Sequence, residues 1–223
     1  MSLALRVSGL QVTTPPGRVL LDVARLEVEA GAAVAIIGPS GAGKSTLLNA
    51  VSGLSPVQAG QIVWGDHVVT TASHRANVQF RRDSMGLIFQ DHHLIDELDA
   101  KGNAALSALF APKAERAALR TEAEAELRAL GLDLAGRKNV TTYSGGERQR
   151  IAVARAFVGC PAILIADEPT ASLGRQDADR LAKDLLERSR TAGTTLLVAT
   201  HDMALADKMD RVLTLEDGKL VDG

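Results

Sequence analysis

The stretch Gly38-Pro39-Ser40-Gly41-Ala42-Gly43-Lys44-Ser45 combines glycines, a lysine and a hydroxyl at a spacing that suits phosphate. Its glycines allow backbone N–H groups to turn inward around an anion without side-chain clash, and a helix that starts at Lys44 would aim its positive end at the same point. Lys44 would reach the β- and γ-phosphates as a mobile point charge. Ser45 would offer its hydroxyl to Mg²⁺, and Thr46 would extend the polar start of the helix. The implied ligand is a magnesium nucleotide.

A second constellation is Ile163-Leu164-Ile165-Ala166-Asp167-Glu168, an apolar run that ends in two carboxylates. If the run is a strand of a parallel sheet, both acids stand at the carboxyl edge, where ligands of such sheets bind. Asp167 then suits the shell of a cation, and Glu168 suits the orientation or deprotonation of an attacking water. A third constellation is Ser144-Gly145-Gly146 ahead of a helical pattern, which supplies a hydroxyl and a second set of helix N-terminal amides. Gln90 and His201 complete the set, each just beyond an apolar run.

These groups need elements to position them. Residues 3–12 and 19–28 alternate and are separated by Thr13-Thr14-Pro15-Pro16-Gly17, which predicts an antiparallel hairpin. The run 32–37 reads as a buried parallel strand, and residues 44–51 as a helix closed by Gly53. Strands are predicted over 61–70, around a Trp64-Gly65-Asp66 turn, and over 85–89. A helical subdomain begins near Gln90. It contains a charged helix over 114–130, with Leu119, Leu127 and Leu130 at helical spacing, and a helix from Gly145 to about Val158. Then follow a strand over 162–166, a helix over 176–190 and a strand over 194–199. Arg211 to Glu216 and Lys219 to Val221, joined by Asp217-Gly218, predict a terminal hairpin. Alternating strands and helices imply a parallel sheet covered on both faces.

With 223 residues, 46% of them hydrophobic, the chain suffices for one large domain with a subdomain inserted. A net charge of −2 gives no bulk reason to expect a nucleic-acid partner. The single cysteine, Cys160, cannot form an intrachain disulfide and reads as a core thiol in a reducing compartment. No run approaches a membrane span and no secretory leader is seen, so a cytoplasmic protein is expected. His67, His74, His92 and His93 have no catalytic setting and are assigned surface or interface roles.

The order of these motifs resembles that of the ATP-binding cassette (ABC) transporter ATPases. Tyr143-Ser144-Gly145-Gly146-Glu147-Arg148-Gln149-Arg150 is similar to the family signature, Gln90 after Leu87-Ile88-Phe89 to its Q-loop, and Thr200-His201-Asp202 to its H-switch. Pro169-Thr170-Ala171-Ser172-Leu173 leads into a D-loop-like segment. The resemblance spans essentially the whole chain. It implies an α/β fold with a P-loop NTPase core, a mainly parallel sheet, an N-terminal antiparallel β subdomain and a helical subdomain at about 91–158, all within a single domain over 1–223. It also implies ATP and Mg²⁺ as cofactors. Glu168, His201, Lys44 and Gln90 would be catalytic, and Ser45, Gln90 and Asp167 would be disposed toward the metal. The nucleotide would be held by residues 38–46 (Gly38, Pro39, Ser40, Gly41, Ala42, Gly43, Lys44, Ser45 and Thr46) and by Ser144, Gly145 and Gly146 of a second copy in a head-to-tail homodimer.

Within the family, the signature, the Phe89-Gln90 segment followed by Leu94 and Glu97-Leu98, and the short length resemble the lipoprotein-releasing, macrolide-export and cell-division group. That implies a separate transmembrane permease docking near residues 91–98, and a location on the cytoplasmic face of the inner membrane. Two other readings stand beside it. One is the ATPase of a soluble carbon-phosphorus lyase-type complex, whose DEPTASL run is similar but whose H-switch usually lacks the Thr found here at position 200. The other is a weakly hydrolysing, nucleotide-gated structural subunit. It is motivated by Gly174 where the D-loop usually has Asp, and by Val12, Thr13 and Thr14 where an adenine-stacking aromatic is common. Losing that stack would weaken affinity by roughly 1–3 kcal/mol and leaves GTP open beside ATP. Tyr143 replaces the usual leading Leu of the signature on its packing side, with little catalytic effect expected.

Overall fold

The computed structural model describes residues 2–15, 17–134 and 139–221. Strand β1 (Leu5–Thr13) pairs antiparallel with β2 (Val19–Val28): Leu5 and Val7 turn inward, as do Leu10 and Val12 beyond a break in the alternation at Gly9, while their neighbours face water. β1 also pairs with β4 (Ala59–Trp64), which pairs with the short β5 (His67–Val68), giving the order β2-β1-β4-β5.

The second sheet contains β3 (Ala33–Ile37), β6 (Met85–Ile88), β7 (Ile163–Asp167), β8 (Thr195–Ala199), β9 (Arg211–Glu216) and β10 (Lys219–Val221). Its order is β10-β9-β3-β8-β7-β6; all pairs are parallel except β9 with β10, the terminal hairpin. The central strands are apolar on both faces. Ala35, Leu164, Ala166, Leu196 and Val198 face one core, while Val34, Ile36, Ile163, Ile165 and Leu197 face the other. The first core is filled by α5 (Gly145–Phe157) and α6 (Arg175–Ala192). The second is filled by α1 (Lys44–Val51) and the antiparallel sheet. Each large side chain buried this way contributes about 1.5–3 kcal/mol. Trp64 joins the layers: fully buried, it donates from Nε1 to Val51 O at 2.8 Å and so anchors the last turn of α1 to β4.

Helices α3 (Ala100–Ala104) and α4 (Arg116–Ala129) pack on each other and on α5. α4 buries only Ala123 and Leu127, as its charged composition implies. Arg188 of α6 pairs with Glu126 of α4 and lies over the Phe157 ring at 4.4 Å, which ties α4 and α5 to α6.

Two elements depart from the expectations. Helix α2 (His74–Ser84) has no fully buried residue, and its half-buried face is mostly polar, with Phe80 its one large apolar contact to the core; its start is fixed by Ser73, whose side chain accepts from Ala76 N–H at 3.2 Å. Cys160 is exposed rather than in the core. It follows α5 at φ 49°, with Sγ 3.5 Å from Glu122 Oε1, and desolvation together with that carboxylate pushes the thiol pKa up. Its tight left-handed turn sends the side chain out of the core that the preceding Phe157 enters.

The strand feeding the glycine loop is tied at its start by Asp210. Its carboxylate accepts from Ala33 N–H at 2.8 Å and from Arg190 Nη2 at 2.9 Å, and these partners, the Ala33 amide first, hold its pKa below the ordinary 3.8. A depressed native pKa adds stability that is complete above the unfolded value and lost as pH falls through the native one. Asp210→Asn should therefore lower unfolding free energy at neutral pH by roughly 0.5–1 kcal/mol, discounted for the exposure of the group. In urea titrations the gap should close as pH falls through the lowered native pKa, where the wild-type carboxylate protonates.

Candidate functional site

The carboxyl ends of β3, β6, β7 and β8 open onto one cleft of about 570 Å³. Every loop residue from Gly38 to Thr46 lines it except Ala42, which is buried beneath. The loop has the shape it does because its glycines allow it. Gly38 has φ 151° and lies so close to β9 that an added Cβ would overlap Leu215 O, while Gly43 enters α1 at φ 104°. No side chain caps α1, so its first N–H groups are free to meet an anion. Lys44 Nζ arches back over the loop, donating to Gly38 O at 2.8 Å and Pro39 O at 3.1 Å. From there a modest rotation would carry the ammonium onto phosphate oxygens.

Across the cleft stand Gln90, Asp167, Glu168 and His201. Asp167 ends β7 with Oδ1 buried and without a hydrogen-bond donor. Desolvation raises its pKa, and the Ser45 hydroxyl and Lys44 oppose that rise. A buried carboxylate oxygen without a partner, facing a serine hydroxyl, fits a hard divalent cation, which would satisfy both oxygens and reverse the cost of burying the charge.

Glu168 has φ 48°, a left-handed conformation uncommon outside glycine. Its backbone N–H donates to Ala199 O at 2.9 Å, and its Oε2 lies 2.8 Å from His201 Nδ1 and accepts from the His201 N–H at 3.3 Å. The strained residue is thus held from β8, and its carboxylate is turned into the cleft. Glu168 is largely covered whereas the His201 ring is exposed, so the imidazole can swing while the acid stays.

Ser144, Gly145 and Gly146 are not in this cleft. They begin α5, beside Ser172 and Leu173, and Ser144 is exposed. This helix start is closed by its own side chains. Ser144 N–H and Oγ donate to Glu147 Oε2 at 2.8 and 2.7 Å, and Glu147 N–H donates back to Ser144 Oγ at 3.3 Å. One helix N-terminus is therefore open inside the cleft, and the other is capped outside it. Gly174 has open space where a Cβ would stand, so nothing in this chain excludes a larger residue there. Tyr143 is buried among the core residues behind the signature, in keeping with a packing role.

The sequence reading missed Leu20, from the start of β2, as a wall of the cleft. Its signal was faint, one aliphatic residue in an alternating strand, and only the packing of β2 against Gly43 brings it there. A second concavity of similar size, near Lys101 and Tyr143, contains none of the glycine-rich loop 38–46. Among the described residues no cluster of His, Cys, Asp and Glu makes a separate metal site, and no helix is long and apolar enough to cross a membrane.

The ABC transporter family model matches residues 21–171. The fold is similar to that of MJ0796, solved as a dimeric bacterial ABC transporter cassette. Identity is 29% and the TM-score 0.89, over 98% of this chain and 97% of that one. A post-hydrolysis state of the MJ0796 cassette bound to ADP and Pi matches with a TM-score of 0.88 at 29% identity and the same coverage. The cbiO1 protein of Clostridium perfringens, part of the ABC transporter complex cbiONQ, matches with a TM-score of 0.85 at 26% identity, over 100% of this chain and 88% of that one.

Proposed function

This chain belongs to the ABC transporter family, and from that premise we propose that it is the Mg²⁺-dependent ATP-hydrolysing subunit of a transporter or mechanotransmission complex. The observation that carries the reading is the convergence of the open α1 terminus, Lys44, the unpartnered Asp167 oxygen, Glu168 and His201 on one cleft.

The loop amides and Lys44 bind the β- and γ-phosphates. Ser45, Asp167 and Gln90 are the residues that would hold the cation, which when bound would supply charge neutralisation. Glu168 orients the attacking water and takes its proton, and His201 leaves Glu168 to hydrogen-bond the γ-phosphate. Because Ser144, Gly145 and Gly146 lie outside the cleft of their own chain, the second phosphate-facing end comes from another copy in a head-to-tail homodimer. The dimeric form of MJ0796 supports this, and its ADP- and Pi-bound form supports hydrolysis.

Closure of that dimer would drive a separate membrane permease, as membership of cbiO1 in a larger complex supports. Residues 91–98, at the start of the helical segment of about 91–158, would lie near the docking groove, on the cytoplasmic face. The lipoprotein-releasing, macrolide-export and cell-division group remains the subgroup we favour, on the residues flanking Gln90. The test is ATP turnover by the purified chain with and without Mg²⁺, together with affinity purification from detergent-solubilised membranes. Cation-dependent turnover and co-purification of an integral membrane protein are the expected results. No turnover from the folded chain overturns the enzyme reading, and a purely soluble complex overturns the transporter reading.

A further inference from the structure

His92 and His93 follow Gln90 in a conformation neither favours, with φ of 60° and 46°. Two consecutive non-glycine residues in the left-handed region persist only when their surroundings hold them. Arg155 of α5 does so: its Nη2 donates to His92 O and its Nη1 to His93 O, each at 2.6 Å. A planar guanidinium offers one N–H to each carbonyl in fixed geometry, which a lysine ammonium cannot reproduce. Burial pushes the Arg155 pKa down, as befits a cation that has exchanged water for these carbonyls.

The other side of Gln90 is tied to the same helix. β6 runs against α5 so closely that a Cβ on Gly86 would overlap Ala156 O. The Phe89 ring also meets His93, with centroids 4.8 Å apart. Gln90, whose side chain lines the phosphate cleft, thus sits between two attachments to α5, and Ser144 caps the far end of that helix.

We propose that Arg155 is a positioning residue: it fixes residues 91–93 so that Gln90 reaches the phosphate cleft, and it ties that reach to the position of α5. A shift of α5 when its Ser144 end meets nucleotide across the dimer would then be felt at Gln90 through one side chain. The proposal rests on the reading of the cleft as the ATP site.

The test uses the full chain and two single variants, Arg155→Lys and His93→Val. The second leaves α5 untouched and places a β-branched residue where φ is positive. Amide hydrogen exchange in the nucleotide-free protein should speed up about tenfold over residues 91–95 in both variants, with the core of α5 unchanged. In turnover, kcat should fall about tenfold while KM for Mg-ATP moves less than about twofold. With Gln90→Ala already present, Arg155→Lys should slow turnover by less than about twofold more, because both changes act on one group. Unchanged exchange in both variants, or fully additive losses in the double variant, would overturn the proposal. If Arg155→Lys does not fold, His93→Val decides by the same two readouts. A wild-type chain without turnover would sink the ATPase reading instead, and the exchange comparison would still decide the role of Arg155.

Discussion

Glu168→Gln should lower ATP turnover by about 100-fold or more while nucleotide still binds, since loss of a positioned general base typically costs 10²–10⁴ in rate. The amide keeps the size and one acceptor of the carboxylate. It can therefore still accept from the His201 N–H, and the backbone bond from Glu168 N–H to Ala199 O is untouched. What it loses is basicity. The cradle around Lys44 and the open α1 terminus are unaltered, so the variant should accumulate the ATP-bound state that precedes hydrolysis. If the Ser144 end of a second copy closes the site, the variant's mass by light scattering should double in ATP and return to that of the monomer when ATP is removed. Lys44→Ala gives the opposite signature, loss of nucleotide affinity and no ATP-dependent doubling, because it removes the point charge that meets the phosphates. Turnover of Glu168→Gln within a few-fold of wild type would mean that another group takes the proton.

The contrast between these substitutions also marks what the sequence could and could not convey. The cradle was legible because its chemistry is local: strand, glycines, lysine and helix follow one another, and the structure has α1 over Lys44–Val51, as the spacing predicts. The buried strands were legible because β3, β7 and β8 face apolar layers on both sides and admit no polar residue along most of their length. Helix α2 was not legible, since its inward face has a single large apolar residue, Phe80, beside the polar Asn77 and Arg81, and none of its residues is fully buried. Cys160 was misjudged because the burial of a thiol depends on a left-handed turn that no cysteine announces. The cleft itself lay between these cases. Gln90, Asp167, Glu168 and His201 could each be named from the strand they follow, but their meeting depends on the order β3-β8-β7-β6, which brings distant segments side by side. Arg155 lay beyond reach, for a half-buried arginine in an amphipathic helix ordinarily reads as a solvated charge, and only the three-dimensional path of residues 91–93 gives it partners.

Gly86→Ala should destabilise the chain by about 3 kcal/mol, at the upper end of the usual cost of overpacking. Gly86 is in β6 and is not in the left-handed region, so the new methyl brings no backbone strain of its own. The cost comes from what the methyl meets. Besides overlapping Ala156 O, it would stand 2.9 Å from Ala156 C and 2.8 Å from Leu164 Cδ1. The leucine can turn away, but the carbonyl belongs to the last turn of α5 and cannot move without the helix. β6 is equally constrained, because its register with β7 pairs Gly86 with Leu164 and Ile88 with Ala166. For a chain of this size the loss corresponds to a fall of about 6–12 °C in Tm. The same displacement would separate α5 from the loop after Gln90, so turnover measured well below Tm should fall further than the folded fraction alone accounts for. A Tm within about 1 °C of wild type would show that β6 and α5 can part at little cost. Their close approach could then not be what holds Gln90 at the phosphate cleft.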